Sequence, residues 1–267
     1  MKEHMLAAEN LKTGYDNKTV INEMNLTLPD NKISVIIGGN GCGKSTLLKS
    51  FCRIGKAMEG EILLDGKNLR AYPGKELAQT IGLLPQSPVV PEGISVMDLV
   101  CRGRFPYQKF MRGLSSEDYE AVKEALELMD ISHLADCSVD ELSGGQRQRV
   151  FIALSLAQQT DILFLDEPTT YLDIAYQVEI LELLKELNRK KKTTIVMVLH
   201  ELNMALRYAD YLFAMKAGRL VKEGVPEEIV DTALLEEVFG LRAKIVEDVA
   251  TQSFLIIPLG RVKEDSH

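Results

Sequence analysis

The chain lacks an excess of positive charge. Its 31 Lys and Arg stand against 39 Asp and Glu, a net charge of −8 over 267 residues. A nucleic-acid binder needs a basic face to displace counterions from phosphates, so no nucleic-acid partner is expected. Cysteine is scarce: Cys42, Cys52, Cys101 and Cys137, with no two in C-x-x-C spacing. Zinc and dithiol chemistry therefore have no motif, and four thiols of a reducing compartment are expected. Long hydrophobic runs are missing as well. The longest candidates, around Ile33–Ile37, Ile162–Leu165 and Phe254–Ile257, are strand-sized, far below the roughly 18 residues that span a bilayer. Met1-Lys2-Glu3-His4 leads into no apolar segment, so no signal peptide is expected. The chain should be cytosolic and meet a membrane only through a partner. It shows no internal repeat and no low-complexity linker.

What is present is an ordinary globular composition, 46% hydrophobic and 26% charged, enough for a substantial core. The length suits one large domain or two small ones. Residues 5–37 read as strands, with Pro29-Asp30-Asn31 as a turn and Ile33–Ile37 as a short β-branched run bounded by glycine. Ser45–Cys52 reads as a helix, Glu61–Leu64 and Ile81–Leu84 as strands. Residues 87–106 carry Pro88, Pro91 and Pro106 yet are rich in Val, Ile and Leu, which predicts a surface loop and a short helix from Ser95. In Ser116–Met129, Tyr119, Val122, Ala125, Leu126 and Met129 recur at helical spacing. Ser143–Gln158 is a second helix. Strand and helix then alternate: Ile162–Leu165, Ala175–Arg189, Thr193–Leu199, Leu202–Ala209, Tyr211–Met215, and a hairpin through Ala217-Gly218 into Arg219–Glu223. That alternation predicts a mostly parallel sheet covered by helices. Residues 226–267 read as a mixed tail.

Three segments carry chemistry. Gly38-Gly39-Asn40-Gly41-Cys42-Gly43-Lys44-Ser45 matches G-x-x-x-x-G-K-[ST] between a buried strand and a helix. Glycines let backbone N–H groups converge on phosphate oxygens, and the helix N-terminus adds partial positive charge. Lys44 should reach the β- and γ-phosphates and Ser45 should ligate Mg²⁺; Thr46 follows in the same turn. Ile162–Glu167 is an apolar strand ending in two carboxylates. Asp166 can hold Mg²⁺ through water and Glu167 can polarise an attacking water, although a strand ending in solvated acids would look the same. Leu142-Ser143-Gly144-Gly145-Gln146 starts a helix with Ser143 as N-cap, a second anion site or a plain glycine-rich helix start.

Leu142-Ser143-Gly144-Gly145-Gln146, with Leu142 standing 24 residues before Asp166, resembles the signature motif of ATP-binding cassette (ABC) ATPases, and the resemblance runs over essentially the whole chain. It implies an α/β fold: a RecA-like, mostly parallel P-loop core, an antiparallel β-subdomain and an inserted α-helical subdomain. One domain over residues 1–267 is expected, with 1–86 and 159–225 as nucleotide-binding core, 87–158 as helical subdomain and 226–267 as tail. The family's cassettes pair head to tail. By resemblance Ser143, Gly144, Gly145 and Gln146 would contact ATP held by the partner copy's phosphate loop. Gln86 resembles the glutamine that senses Mg²⁺ and the attacking water. His200, 34 residues after Asp166, resembles the switch histidine on the γ-phosphate. Asp173 resembles the aspartate at the dimer seam, and Tyr15 the aromatic that stacks on adenine, where an ordinary strand tyrosine is the alternative. Arg147 and Arg149 stay open between interface and solvated face.

Two departures stand out. Gly39 replaces a proline common in relatives, and Tyr171 replaces a small residue. An aromatic at that second position resembles the iron–siderophore and vitamin B12 importer branch. Cys101-Arg102-Gly103-Arg104-Phe105-Pro106-Tyr107-Gln108 resembles the same branch, as does the tail with Val238-Phe239-Gly240 and Ile256–Arg261. The resemblance implies an ATP-hydrolysing, Mg²⁺-dependent subunit of a ferric-siderophore (hydroxamate or catecholate) importer, peripheral on the cytoplasmic face of the membrane. It would work as a homodimer with transmembrane permease subunits and, indirectly, an extracytoplasmic binding protein. Cobalamin, haem or metal-ion import, or a soluble ABC ATPase without a transport role, are the alternatives.

Overall fold

The computed structural model describes residues 3–15, 18–55, 57–109 and 112–262. The first third of the chain is β1 (Leu6–Tyr15), β2 (Lys18–Leu28), β3 (Ile33–Gly38), α1 (Lys44–Phe51), β4 (Ala57–Leu64), β5 (Lys67–Asn68), α2 (Gly74–Thr80) and β6 (Ile81–Leu84). Then come α3 (Val96–Cys101), α4 (Ser116–Leu128), α5 (Gly144–Ala157), β7 (Ile162–Asp166), α6 (Ile174–Lys191) and β8 (Thr194–Val198). The rest is α7 (Leu202–Tyr208), β9 (Tyr211–Lys216), β10 (Arg219–Gly224), α8 (Pro226–Ile229), α9 (Thr232–Phe239), β11 (Leu241–Asp248) and β12 (Ser253–Arg261). These elements form two compact units, residues 70–195 and residues 3–69 with 196–262. The chain crosses between them after Leu69 and again inside β8.

In the first unit β6 and β7 pair in parallel, from Ile81 opposite Ile162 to Leu84 opposite Leu165. All five residues of β7 are buried, as expected for a short apolar strand covered on both faces. The helices follow their caps. Ser115 Oγ accepts the Asp118 amide and Asp118 Oδ2 accepts the Ser115 amide, a reciprocal capping box that starts α4. Ala121, Val122, Ala125 and Leu126 then form its buried face. The helix α2 has no reading in the sequence because Leu77 is its one buried residue, too little for periodicity.

The segment around Arg104 differs from its sequence reading. Residues 87–106 read as an exposed apolar loop, and Val89 (98% exposed) and Phe105 (74%) are indeed on the surface. Gly103 and Arg104, however, are buried in a 3₁₀ turn, Arg102–Tyr107. Arg104 Nε donates to Asp118 Oδ1 at 2.9 Å, its Nη1 donates to Ala157 O at 2.8 Å, and its guanidinium lies 3.8 Å from the Tyr107 ring centre. A Cβ on Gly103 would meet Leu154 O at 2.4 Å, so glycine lets the turn sit against α5. Arg104 thus ties the turn to α4 through a buried ion pair and to α5 through the Ala157 carbonyl.

The second unit holds an antiparallel sheet in the order β2-β1-β4-β5. Its β3 is buried throughout and runs parallel to β9, from Ser34 opposite Tyr211 to Gly38 opposite Met215. β10 returns antiparallel to β9 through Ala217 and Gly218, both at positive φ, the backbone that a tight hairpin turn requires. The tail resolves into α8, α9 and a hairpin of β11 and β12. Among the described residues, no helix is long and apolar enough to cross a membrane.

Removing one partner of a buried ion pair strands the other. Burial alone would raise the Asp118 carboxyl, but hydrogen bonds from Ser115 and Arg104 hold it below the usual carboxylate range. Arg104→Ala should therefore cost about 3 kcal/mol in urea unfolding at neutral pH. A carboxylate with a depressed folded-state pKa contributes stability above its unfolded value and loses it as pH falls. The difference between wild type and Arg104→Ala should thus shrink in acid, and a cost below about 1 kcal/mol at neutral pH would contradict a structural role for the pair.

Candidate active site

The phosphate-binding candidates lie in the second unit. β3 delivers the chain at Gly38 (φ 154°), and the loop turns at Gly41 (φ 73°) and Gly43 (φ 106°) before α1 begins at Lys44. A Cβ at Gly38 would meet Met215 O at 2.4 Å, and one at Gly43 would meet the Ile21 side chain at 2.7 Å. At Gly41 the same position has nothing within 4 Å, so the loop is tight against the protein below and open above. The β9–β10 turn supports it from beneath, with the Gly218 amide donating to Cys42 O at 2.9 Å. Lys44, only 6% exposed, donates from Nζ to Gly38 O at 2.9 Å and Gly39 O at 3.1 Å. Its ammonium thus stands within the loop's own curve. Asn40 and Gly41 are exposed, Ser45 is half-buried, and Cys42, Gly43 and Thr46 are buried. Burial pushes the Cys42 thiol up against the lowering pull of Lys44. The same unit carries Tyr15, 49% exposed at the end of β1, and His200, exposed between β8 and α7.

The carboxylate candidates lie in the first unit. Because Leu84 pairs with Leu165, Gln86 and Glu167 each stand two residues beyond the last matched pair. Gln86 Nε2 donates to Glu167 Oε2 at 2.8 Å, and Thr170 Oγ1 donates to the same oxygen at 3.1 Å. Glu167 takes φ 58°, a left-handed backbone that non-glycine residues adopt at a cost and that concentrates at functional positions. Asp166, one residue earlier, closes β7 and is 1% exposed.

The glycine-rich helix start belongs to the same unit. Ser143 Oγ accepts the Gln146 amide at 3.3 Å, and Gln146 Oε1 accepts the Ser143 amide at 3.0 Å. This capping box opens α5 with Gly144 clear of any neighbour within 4 Å of where a Cβ would be. Beside it is a cavity of about 410 Å³ lined by Ser143, Gly145, Gln146, Arg149, Tyr176 and Glu179. Arg149 is no bare solvated charge: it donates to Met129 O at 3.1 Å and Glu179 Oε2 at 2.7 Å. Leu172 Cδ2 covers Gly145, 3.4 Å from its would-be Cβ. Gln148 Nε2 donates to Pro168 O at 2.8 Å, linking α5 to the turn that follows Glu167. Asp173 caps α6 by accepting the Tyr176 amide at 3.1 Å. Tyr171 (φ 67°) and Ile174 project beside it, 83% and 72% exposed.

A family model described as ABC transporter matches residues 21–170. The chain belongs to the ABC transporter family. Among known cassettes it is 48% identical over 256 residues to the ferric enterobactin transport ATP-binding protein FepC of Escherichia coli (strain K12), covering 96% of this chain and 94% of that one. It is 42% identical over 260 residues to the iron(3+)-hydroxamate import ATP-binding protein FhuC of Bacillus subtilis (strain 168), covering 97% of each. Its fold is similar, with a TM-score of 0.82 and 30% identity, to an ABC transporter solved in an inward-facing conformation, over 97% of this chain and 98% of that one. The cassette is thus a P-loop ATPase with a RecA-like mixed sheet and a helical subdomain, and its family uses ATP with Mg²⁺.

The residues fit those ligands. The phosphate loop has an open upper face at Gly41 and an ammonium already bonded to carbonyls, a cradle with no Cβ in the way. Among the described residues no group of three His, Cys, Asp or Glu gathers as a metal cage. Mg²⁺ keeps its waters and takes one or two protein oxygens beside phosphates, and the Ser45 hydroxyl and the Asp166 carboxylate are oxygen donors of that kind. Two positions escaped the sequence reading. Thr170 shares the Glu167 oxygen, and Gln148 holds Pro168; neither polar side chain carries a signal in the sequence beyond its position.

Replacing Lys44 removes the one side-chain cation of the phosphate loop. Lys44→Ala should weaken binding of a fluorescent ATP analogue by about 100-fold or more. Unchanged affinity in a fluorescence titration would overturn the phosphate-loop assignment.

Proposed function

We propose that this cassette is the ATP-hydrolysing subunit of a ferric-siderophore importer and works on the cytoplasmic face of the membrane as an ATP-dependent homodimer. The similarity over nearly the whole length to FepC and FhuC carries the cargo class. Those two relatives serve ferric enterobactin and iron(3+)-hydroxamate by name, at comparable identity. This fits a motor whose cargo, hydroxamate or catecholate, is chosen by membrane and extracytoplasmic partners. Val89 and Phe105, both exposed, are the apolar side chains we assign to the permease contact.

Each side chain has a task. The loop amides from Gly38 to Thr46 and the Lys44 ammonium bind the β- and γ-phosphates, while Tyr15 stacks on adenine. Ser45, Gln86 and Asp166 are the residues that would hold Mg²⁺, and the ion would supply charge neutralisation for the transferred phosphoryl group. Glu167, held at Oε2 by Gln86 and Thr170, orients the attacking water and accepts its proton. His200 donates to the γ-phosphate. Ser143 to Gln146, opening α5, close over the nucleotide of the partner copy, with Asp173 and Tyr171 at the seam. ATP favours the closed dimer because it binds that state better, and hydrolysis releases it.

Uptake of radiolabelled iron–hydroxamate tests the reading in cells whose own copy has been replaced by the wild-type chain or by Glu167→Gln. Wild-type cells should accumulate iron and the variant should lose at least about 90% of the rate, in line with removal of a general base. Equal uptake would reject this cargo.

A further inference from the structure

The hairpin β11–β12 and the helix that follows His200 are joined by a paired hydrogen bond. Asn203 Nδ2 donates to Ile256 O at 3.3 Å, and Ile256 N donates to Asn203 Oδ1 at 2.8 Å. A side-chain amide here does what a neighbouring strand would do: it satisfies both backbone groups of one residue in β12. Ile256 is itself 4% exposed, so its backbone groups would be costly to leave unmade. Neighbouring Leu255 and Ile257 point outward, 38% and 40% exposed, as alternation along a strand requires.

The bond falls at the first turn of α7. That turn has no side-chain cap, because Glu201 at the N-cap position makes no such bond. On its other side His200 follows β8, whose residues Ile195 to Val198 are fully buried. His200 therefore stands between a buried strand and a helix start whose placement Asn203 ties to the hairpin. One turn along α7, Arg207 acts on the hairpin's own turn. The Asp248 carboxyl there is held below its ordinary range, chiefly by the Thr251 hydroxyl and the Ala250 amide, with Arg207 adding to the pull. The same tail also borders the phosphate loop, where a Cβ on Gly39 would lie 3.9 Å from Val238 O at the end of α9.

We infer that Asn203 is a positioning residue. By binding both backbone groups of Ile256 it makes the C-terminal hairpin a brace that sets where His200 stands. The inference rests on the assignment of His200 to the γ-phosphate. It gives the tail a part in ATP hydrolysis through His200. Displacing a group that must meet a phosphate oxygen slows the chemical step more than it weakens nucleotide binding.

A double-mutant cycle on ATP hydrolysis by the purified chain tests this. Asn203→Leu keeps roughly the side-chain volume and removes both bonds. Asn203→Asp keeps the acceptor for Ile256 N and loses the donor. Asn203→Leu should lower kcat about 10-fold, with KM for ATP within about twofold. Asn203→Asp should fall between it and wild type. His200→Ala should lower kcat further, and adding Asn203→Leu to it should cost nothing more. A merely structural bond would instead slow the His200→Ala protein by the same factor, which would overturn the inference. So would a wild-type kcat in Asn203→Leu beside a slow His200→Ala. A wild-type kcat in His200→Ala would reject the His200 assignment itself, a different failure. If Asn203→Leu does not fold, Asn203→Asp in both backgrounds decides by the same comparison.

Discussion

A buried ammonium is the constraint on which the unit carrying the glycine-rich loop depends. Lys44 is almost fully enclosed, and an enclosed charge must have partners. Its partners are the carbonyls of Gly38 and Gly39, so the loop has to curl back over its own lysine. Only a chain that can take positive φ at Gly38, Gly41 and Gly43 does so. The same curl leaves Gly41 uncrowded. β3 and the β9–β10 turn then serve to hold that curl, one from behind and one from below. The arrangement suits the phosphate binding we propose, because a phosphate can replace two neutral carbonyls at the lysine with a charge-assisted bond.

In the other unit the governing quantity is register. One parallel pairing, Leu84 with Leu165, brings together two side chains that are 81 residues apart in sequence. A slip of one residue would turn Gln86 and Glu167 to opposite faces. The left-handed backbone at Glu167 then redirects the chain into the turn that Gln148 holds through Pro168 O. α5 and the end of β7 are linked in this way, so the helix start at Ser143 and the carboxylate at Glu167 belong to one packed body.

Much of this was legible in the sequence, because the determinants are local. The strand Ile33–Ile37 is a β-branched run ending at glycine, and strand and loop were read together. β6, β7 and the helices α4 to α6 were found within a residue or two, since periodicity and caps such as Ser115 and Ser143 announce them. Other features depend on partners far along the chain. Arg104 looked like one residue of a surface motif, yet its burial depends on Asp118 and Ala157. The tail read as mixed because the alternation in β12 is blurred by three exposed apolar residues, Leu255, Ile257 and Leu259. The bond between Asn203 and Ile256 is invisible to any pattern, since one end of it is backbone. For the site, motif spacing pointed to Gln86, Glu167 and Lys44, while the contacts that orient them, Thr170 and Gln148, required the fold.

Under the function we propose, two copies of this chain must close on ATP to hydrolyse it. Sedimentation velocity of Glu167→Gln, with and without ATP and Mg²⁺, tests it most directly. The variant should be a monomer without nucleotide and a stable dimer with it, because it binds ATP but cannot use it. A variant that binds ATP yet stays monomeric at every concentration tested would contradict a site completed by a second copy.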